Sequence, residues 1–117
     1  MIDYLTNSLC RDLSLVILPL EMRSGEGVSH AWLRRPSGQA AFVLDVFAIG
    51  GAIELVVQLD VSDDALEWTT VASLTAREAG HQRVEFPLSG FVCARYSIAP
   101  IAGAVARARF QLVGSIS

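Results

Sequence analysis

The sequence predicts an all-β fold, a single antiparallel β-sandwich or jelly-roll-like domain with an N-terminal arm, and three observations predict it. Alternating apolar and polar runs, with the two-residue period of an extended strand, recur along the chain. Turn-forming clusters of Gly, Pro, Ser and Asp separate them every ~8–12 residues, and no stretch carries a convincing 3.6-residue period. The length, 117 residues, suffices for one hydrophobic core but not two.

Residues 1–12 show no sustained period, and Thr6-Asn7-Ser8 is a turn-forming or helix-capping cluster, so this stretch reads as an arm. Leu13–Leu20 is a strand of β-branched and large apolar residues in which Pro19 confines its end to a sheet edge or strand terminus. Glu21–Gln39 is punctuated by Gly25, Gly27, Pro36 and Gly38 and reads as a long loop with a short strand around Val28–Leu33. A loop of that length in a small domain is functional, disordered or ordered by a partner, and Trp32 beside Arg34 and Arg35 favours a partner. The chain thus divides into arm, first strand and loop over 1–39 and the rest of one sandwich over 40–117.

From there the alternation is clearer. Phe42, Leu44, Val46 and Ala48 face one way in strand 40–49, and Gly50-Gly51 reads as a two-residue hairpin turn pairing it with 52–62. In 52–62, Ile53, Leu55, Val57, Leu59 and Val61 share the inner face, against Glu54, Gln58 and Asp60. Ser62-Asp63-Asp64 turns the chain into a strand from Trp68 to Thr75. His81–Leu88 turns Val84, Phe86 and Leu88 inward and Pro87 outward, as on an edge strand, and Ser89-Gly90 reads as a turn before Phe91–Ala99. The last strand, Ala104–Val113, places Ala104, Ala106, Ala108, Phe110 and Leu112 inward, which calls for bulky neighbours such as Trp68, Phe42 or Phe86 opposite.

Composition narrows the function. Hydrophobic residues make up 52% and charged residues 18%, against about 25% charged in an average soluble domain, so some apolar surface is expected to meet a partner. No run approaches the roughly 18 apolar residues of a spanning helix, and Asp3 stands where a signal peptide needs a basic flank, so a cytosolic rather than membrane protein is expected. Net charge is −3, with nine Arg scattered and no Lys, which disfavours nucleic acid. Cys10 and Cys93 form no ligand set and read as buried free thiols; no cofactor is expected.

The candidate sites each have a plainer structural reading. Asp60, Asp63, Asp64 and Glu67 offer oxygen ligands to a hard cation such as Ca²⁺, but match no EF-hand spacing and read better as a solvated turn. His30 and His81 lack a nucleophile elbow, and Cys93 sits mid-strand, facing away from the inner residues. Glu54 and Asp60 on one strand face could pair as glycosidase carboxylates, yet alternate outward positions are normally wet. No enzyme is expected. Trp32 or Trp68 could stack on sugar rings, while Trp68 also suits the core or rim of the sandwich. Trp32, Arg34 and Arg35 have the composition of an interface hot spot, and with Tyr4, Leu5, Leu15 and Ile17 they form the candidate partner-binding set.

The run IELVVQLDVSDD, a Trp four residues after its last Asp, then TTVASL and RVEFPLSGFVCARYSI, resembles small β-sandwich structural proteins from the head gene clusters of tailed bacteriophages. The likeness spans about Val16–Val113, and the chain departs from it at Ala65-Leu66, where a glycine is usual. The resemblance implies a non-enzymatic virion protein, most simply a capsid decoration (cement) protein. It also implies the major capsid protein or neighbouring virion subunits as partners, a homo-oligomeric or lattice-bound state, and a location in the virion after synthesis in the host cytoplasm. The alternative is a carbohydrate-binding sandwich for host attachment, or one associated with the tail or fibre.

Overall fold

The structure is a computed structural model that describes residues 13–29 and 31–116; for 13–15, 32–37 and 116 it describes the backbone path. Among these residues the chain forms β1 (Leu13–Arg23), β2 (Glu26–Val28), β3 (Trp32–Gly50), β4 (Ala52–Ser62), β5 (Thr69–Ala76), β6 (Gly80–Pro100) and β7 (Arg107–Ile116). Every pairing is antiparallel, in the order β1-β7-β3-β6-β4-β5, with β2 also on β6. The all-β sandwich that the sequence predicts is the fold observed.

One hydrogen-bonded network makes two layers because β6 belongs to both. Its first half, Gly80–Leu88, pairs with Val46–Gly38 of β3. Its second half, Phe91–Pro100, pairs with Ser62–Ala52 of β4 on one side; on the other, Arg95–Ser97 pair with β2 and Gly90–Val92 with Trp32–Arg34, the start of β3. One layer is therefore β1-β7-β3-β6, and the other is β6-β4-β5 with β2 and the start of β3 along the far side of β6. Gly90 marks the bend, with φ at 98° and its α-carbon so close to β4 that an added Cβ would lie 2.6 Å from the Ser62 carbonyl oxygen. Ser89-Gly90 is thus not a turn between two strands; the strand continues through it. Opposite, Pro36 falls inside the register shift between Arg34 and Gly38, where a missing N–H is tolerated.

Two further sequence expectations are corrected. The 21–39 segment is not a long loop: β1 runs to Arg23, β2 occupies 26–28, and β3 starts at Trp32. The glycines and proline that suggested a loop sit instead at a turn, Gly25 (φ 69°), beside the Tyr96 ring, Gly27, and in the bulge. The second correction concerns 40–49 and 52–62, which do not form a hairpin, since β3 pairs with β6 and β7, and β4 with β5 and β6. A two-residue type I′ turn needs positive φ at both residues, and here only Gly51 has it (66°), so the link carries the chain from one layer to the other. Pairing β3 with β4 would have left β6 no place in either layer.

Both layers feed one core, in which Phe42, Leu44, Leu55, Val57, Leu59, Leu88, Val92, Phe110 and Leu112 are fully buried. Phe42 stacks on Phe86 with ring centroids 5.3 Å apart, and it lies across Gly114, its register partner on β7. A Cβ at Gly114 would come within 2.7 Å of that ring. Phe42 and Phe86 are thus packed as expected, whereas Trp68 precedes β5 and stays partly exposed. Register shifts move two predicted inner residues outward: Ala48 yields to Ile49 at the shift after Val46, and Ile53 yields to Ala52 at the shift before Glu54; a third, Ala104, lies ahead of β7 in an exposed connection. β1 is an edge strand, irregular on both sides of Leu18, as Pro19 requires. Arg23 at its end lies 5.5 Å from the centroids of both the Tyr96 and Phe110 rings, and donates to the Pro19 carbonyl.

Candidate partner-binding surface

The sequence placed its adhesive residues in the N-terminal third. Tyr4 and Leu5 lie outside the described residues, as does His30, and for Leu15, Trp32, Arg34 and Arg35 the structure gives the backbone alone, in β1 and β3. Ile17 does not face a partner: it is 4% exposed and part of the core cluster, because the irregular course of β1 turns it and Leu18 inward together.

The acidic turn is built to close on itself. Asp64 Oδ1 accepts from the amides of Leu66 (2.9 Å) and Glu67 (3.1 Å) and from the Ser62 hydroxyl, while Ser62 Oγ accepts from the Ala65 amide (2.8 Å). These backbone donors hold the Asp64 carboxyl below the usual range. Ala65 takes the left-handed conformation (φ 64°) in which a glycine was expected. Among the described residues no three His, Cys, Asp or Glu side chains gather as a metal would need.

Asp60 is the larger departure from the sequence reading, which left it outward and wet. Its side chain is only 6% exposed, and Arg95 from the neighbouring strand reaches it through Nε at 2.5 Å, with Nη2 at 3.4 Å. Thr70 donates to the same carboxylate at 2.7 Å, and the chain bulges so that Thr70 rather than Val71 faces Asp60. Burial alone would raise the Asp60 pKa, but the bonds and charge of Arg95 and the Thr70 hydroxyl outweigh it and hold the carboxyl below its ordinary value. Cys93, opposite Asp60 in register, faces the same outer side and is buried, which with the nearby carboxylate pushes its thiol upward. Glu54 and Asp60 are not assembled as a working pair: Glu54 leans on Arg77 (3.9 Å) in a cleft beside His81, while Asp60 is locked to Arg95.

What the sequence reading did not single out is one end of the sandwich. The β3–β4 link and the β6–β7 connection meet there: the Ile101 amide donates to the Gly51 carbonyl (3.0 Å), and Gly51 packs against the backbone of Val105. Neither segment, Val46–Ile53 or Ile98–Ala106, contains a polar side chain. Phe47, Ile53, Ile101 and Val105 are each between 51% and 72% exposed, with Ala102, Gly103 and Ala104 open among them. Connections at the end of a sandwich are normally polar, so this concentration of exposed apolar residues sets the end apart as a candidate docking surface. The signal was present in the sequence as two uncharged runs, but both were absorbed into strands and turns.

No family model matches the chain, and no curated protein matches it in sequence. Solved structures do resemble it. The PBSX exported protein XepA superposes with a TM-score of 0.68 at 12% identity, over 90% of this chain and 37% of XepA, so this chain spans little more than a third of that protein. The SPBc2 prophage-derived protein YomS gives 0.53 at 9% identity, over 90% of this chain and 91% of YomS. The CBM36-1 domain of a multidomain xylanase from the hindgut metagenome of Trinervitermes trinervoides gives 0.46 at 7% identity, over 90% of this chain and 96% of the domain. With XepA and YomS, at these identities, what is shared is the fold.

Proposed function

We propose that this chain is a non-enzymatic structural protein of a phage particle, which binds the assembled head or a neighbouring virion subunit. The observation that carries the reading is the apolar end around Phe47, Ile53, Ile101 and Val105, a protein-docking surface on a fold also found in a prophage-derived protein. The mechanism is mass action: a protein that binds only the assembled shell stabilises that shell by its binding free energy. An apolar pocket on the cognate capsid suits this end, since neither of its two segments, 46–53 and 98–106, carries a polar side chain. The test is co-sedimentation with assembled capsids and their melting temperature. Wild-type protein is expected to pellet with capsids and raise their melting point, and Ile101→Asp with Val105→Asp, both at exposed positions, to abolish both effects without unfolding the chain. Wild-type protein that stays in the supernatant refutes the head-binding role.

A second reading, a glycan-binding module, is favoured by Trp68, which is 36% exposed and directly follows the 62–67 turn in the chain. Retention on immobilised glycans that Trp68→Ala removes, while Ile101→Asp leaves it intact, would establish this reading over the first.

A further inference from the structure

We propose that β5 is an edge open to main-chain pairing and that its partner is β5 of a second copy of this chain, giving an isologous dimer. The inference goes beyond the virion reading and does not depend on it. Among the described residues five edges end the two layers: β1 and the first half of β6 in one, and β2, β5 and the start of β3, Trp32–Arg34, in the other; the start of β3 pairs over three residues and then runs into the Arg34–Gly38 register shift, with Pro36 inside it. Edges in water are normally guarded by charge, proline, irregularity or shortness. β1 has Pro19, two register shifts, Glu21 and Arg23; the first half of β6 has Arg83, Glu85 and Pro87; β2 is three residues long.

β5 has none of the chemical guards. Its sequence, TTVASLTA, contains no charge, proline or glycine, and Thr69, Thr70, Val71 and Thr75 are β-branched. Its one irregularity, opposite Leu59 and Asp60, leaves Ala72–Ala76 in unbroken register. An edge carbonyl of this strand already takes a substitute donor, for Gln82 Nε2 donates to the Thr75 oxygen at 2.6 Å from the neighbouring layer. An incoming strand would displace that surface side chain and supply backbone donors along the whole edge.

The identity of the partner follows from the guards. With the other described edges closed to pairing, β5 finds its like only in another β5, and an antiparallel strand paired with its own copy generates a two-fold axis. Centred on Ser73, the pairing sets Thr75 opposite Val71 of the second copy and Leu74 opposite its Ala72, neutral contacts of the kind that stabilise cross-strand pairs. The outer layer then runs through both subunits as one sheet, within the usual range of roughly 2–10 strands.

Sedimentation equilibrium of the intact protein, from micromolar to near-millimolar concentration, tests this. Wild type is expected to dimerise. Ser73→Lys, at an exposed position, should weaken association by about tenfold or more, because like charges then face each other across the axis, and mixing it with Ser73→Asp should restore the dimer. Val71→Lys serves as a second disruptor should the first alter folding by circular dichroism. Wild type that stays monomeric throughout overturns the proposal. So does a dimer that survives both lysines, or one broken by Ile101→Asp instead.

Discussion

Arg95→Leu removes the guanidinium from Asp60 and leaves a nearly buried carboxylate with Thr70 as its remaining side-chain donor. Breaking a fully buried ion pair in this way costs about 3–5 kcal/mol. Arg95 is itself 46% exposed, so water can approach the stranded charge, and the expected loss falls to about 2 kcal/mol. With an unfolding entropy near 2.1 cal/mol/K per residue, that lowers Tm by about 8 °C for a chain of this length. The sign of the pH dependence separates charge from packing. In the wild type the Asp60 pKa is depressed, so the pair contributes fully above the ordinary carboxylate value and its contribution is lost as pH falls through the lower, folded value. In the variant only the Thr70 hydroxyl opposes burial, so the carboxyl loses the depression that Arg95 gave it and protonation on acidification relieves the stranded charge. Urea unfolding of both proteins should therefore show a deficit near 2 kcal/mol at neutral pH that narrows steadily below about pH 5. A deficit of the same size at neutral and acid pH would refute the electrostatic account and leave only the packing of the Arg95 stem.

Three other outcomes follow from the packing and the turn. Gly114→Ala forces a methyl into the Phe42 ring and should destabilise the protein by about 1–3 kcal/mol in chemical unfolding, with Phe42→Leu in the same chain recovering part of the loss. Ala65→Gly relieves a left-handed alanine and should raise stability by about 0.5–1 kcal/mol, seen as a higher urea midpoint at unchanged slope. Ile17→Ala should cost about 2–4 kcal/mol, as a core truncation does, whereas Met22→Ala on the exposed side of the same strand should stay within about 0.5 kcal/mol; equal effects would show that β1 is packed differently.

Period-two alternation was enough to read most strand interiors and their faces, because side-chain direction is a local property. The inner residues Phe42, Leu44, Leu55, Val57, Leu59, Leu88, Phe110 and Leu112 all lie where the alternation put them. Pairing was not legible in the same way. Gly50-Gly51 and Ser89-Gly90 look alike in sequence, as small flexible punctuation, yet one changes layer and the other lets a strand bend, and the choice is made by contacts tens of residues away. Bulges were invisible too, which is why Ala48, Ile53 and Asp60 changed surroundings while their neighbours held. The acidic turn read correctly as punctuation because its bonds run within six residues. The apolar end was missed because each of its two halves is unremarkable alone and the fold brings them together.

A strand that serves two layers also governs how the molecule comes apart. Neither layer can shed β6 and keep its inner face covered, so partial opening at one layer exposes the other, and intermediates with one intact layer are disfavoured. Amides in the two halves of β6 should accordingly exchange with deuterium at a common, global free energy rather than as two separate units. Folding, in turn, must close β6 against β2 and β3 more than 30 residues earlier before either sheet is complete, which places the chain among slow, non-local folders.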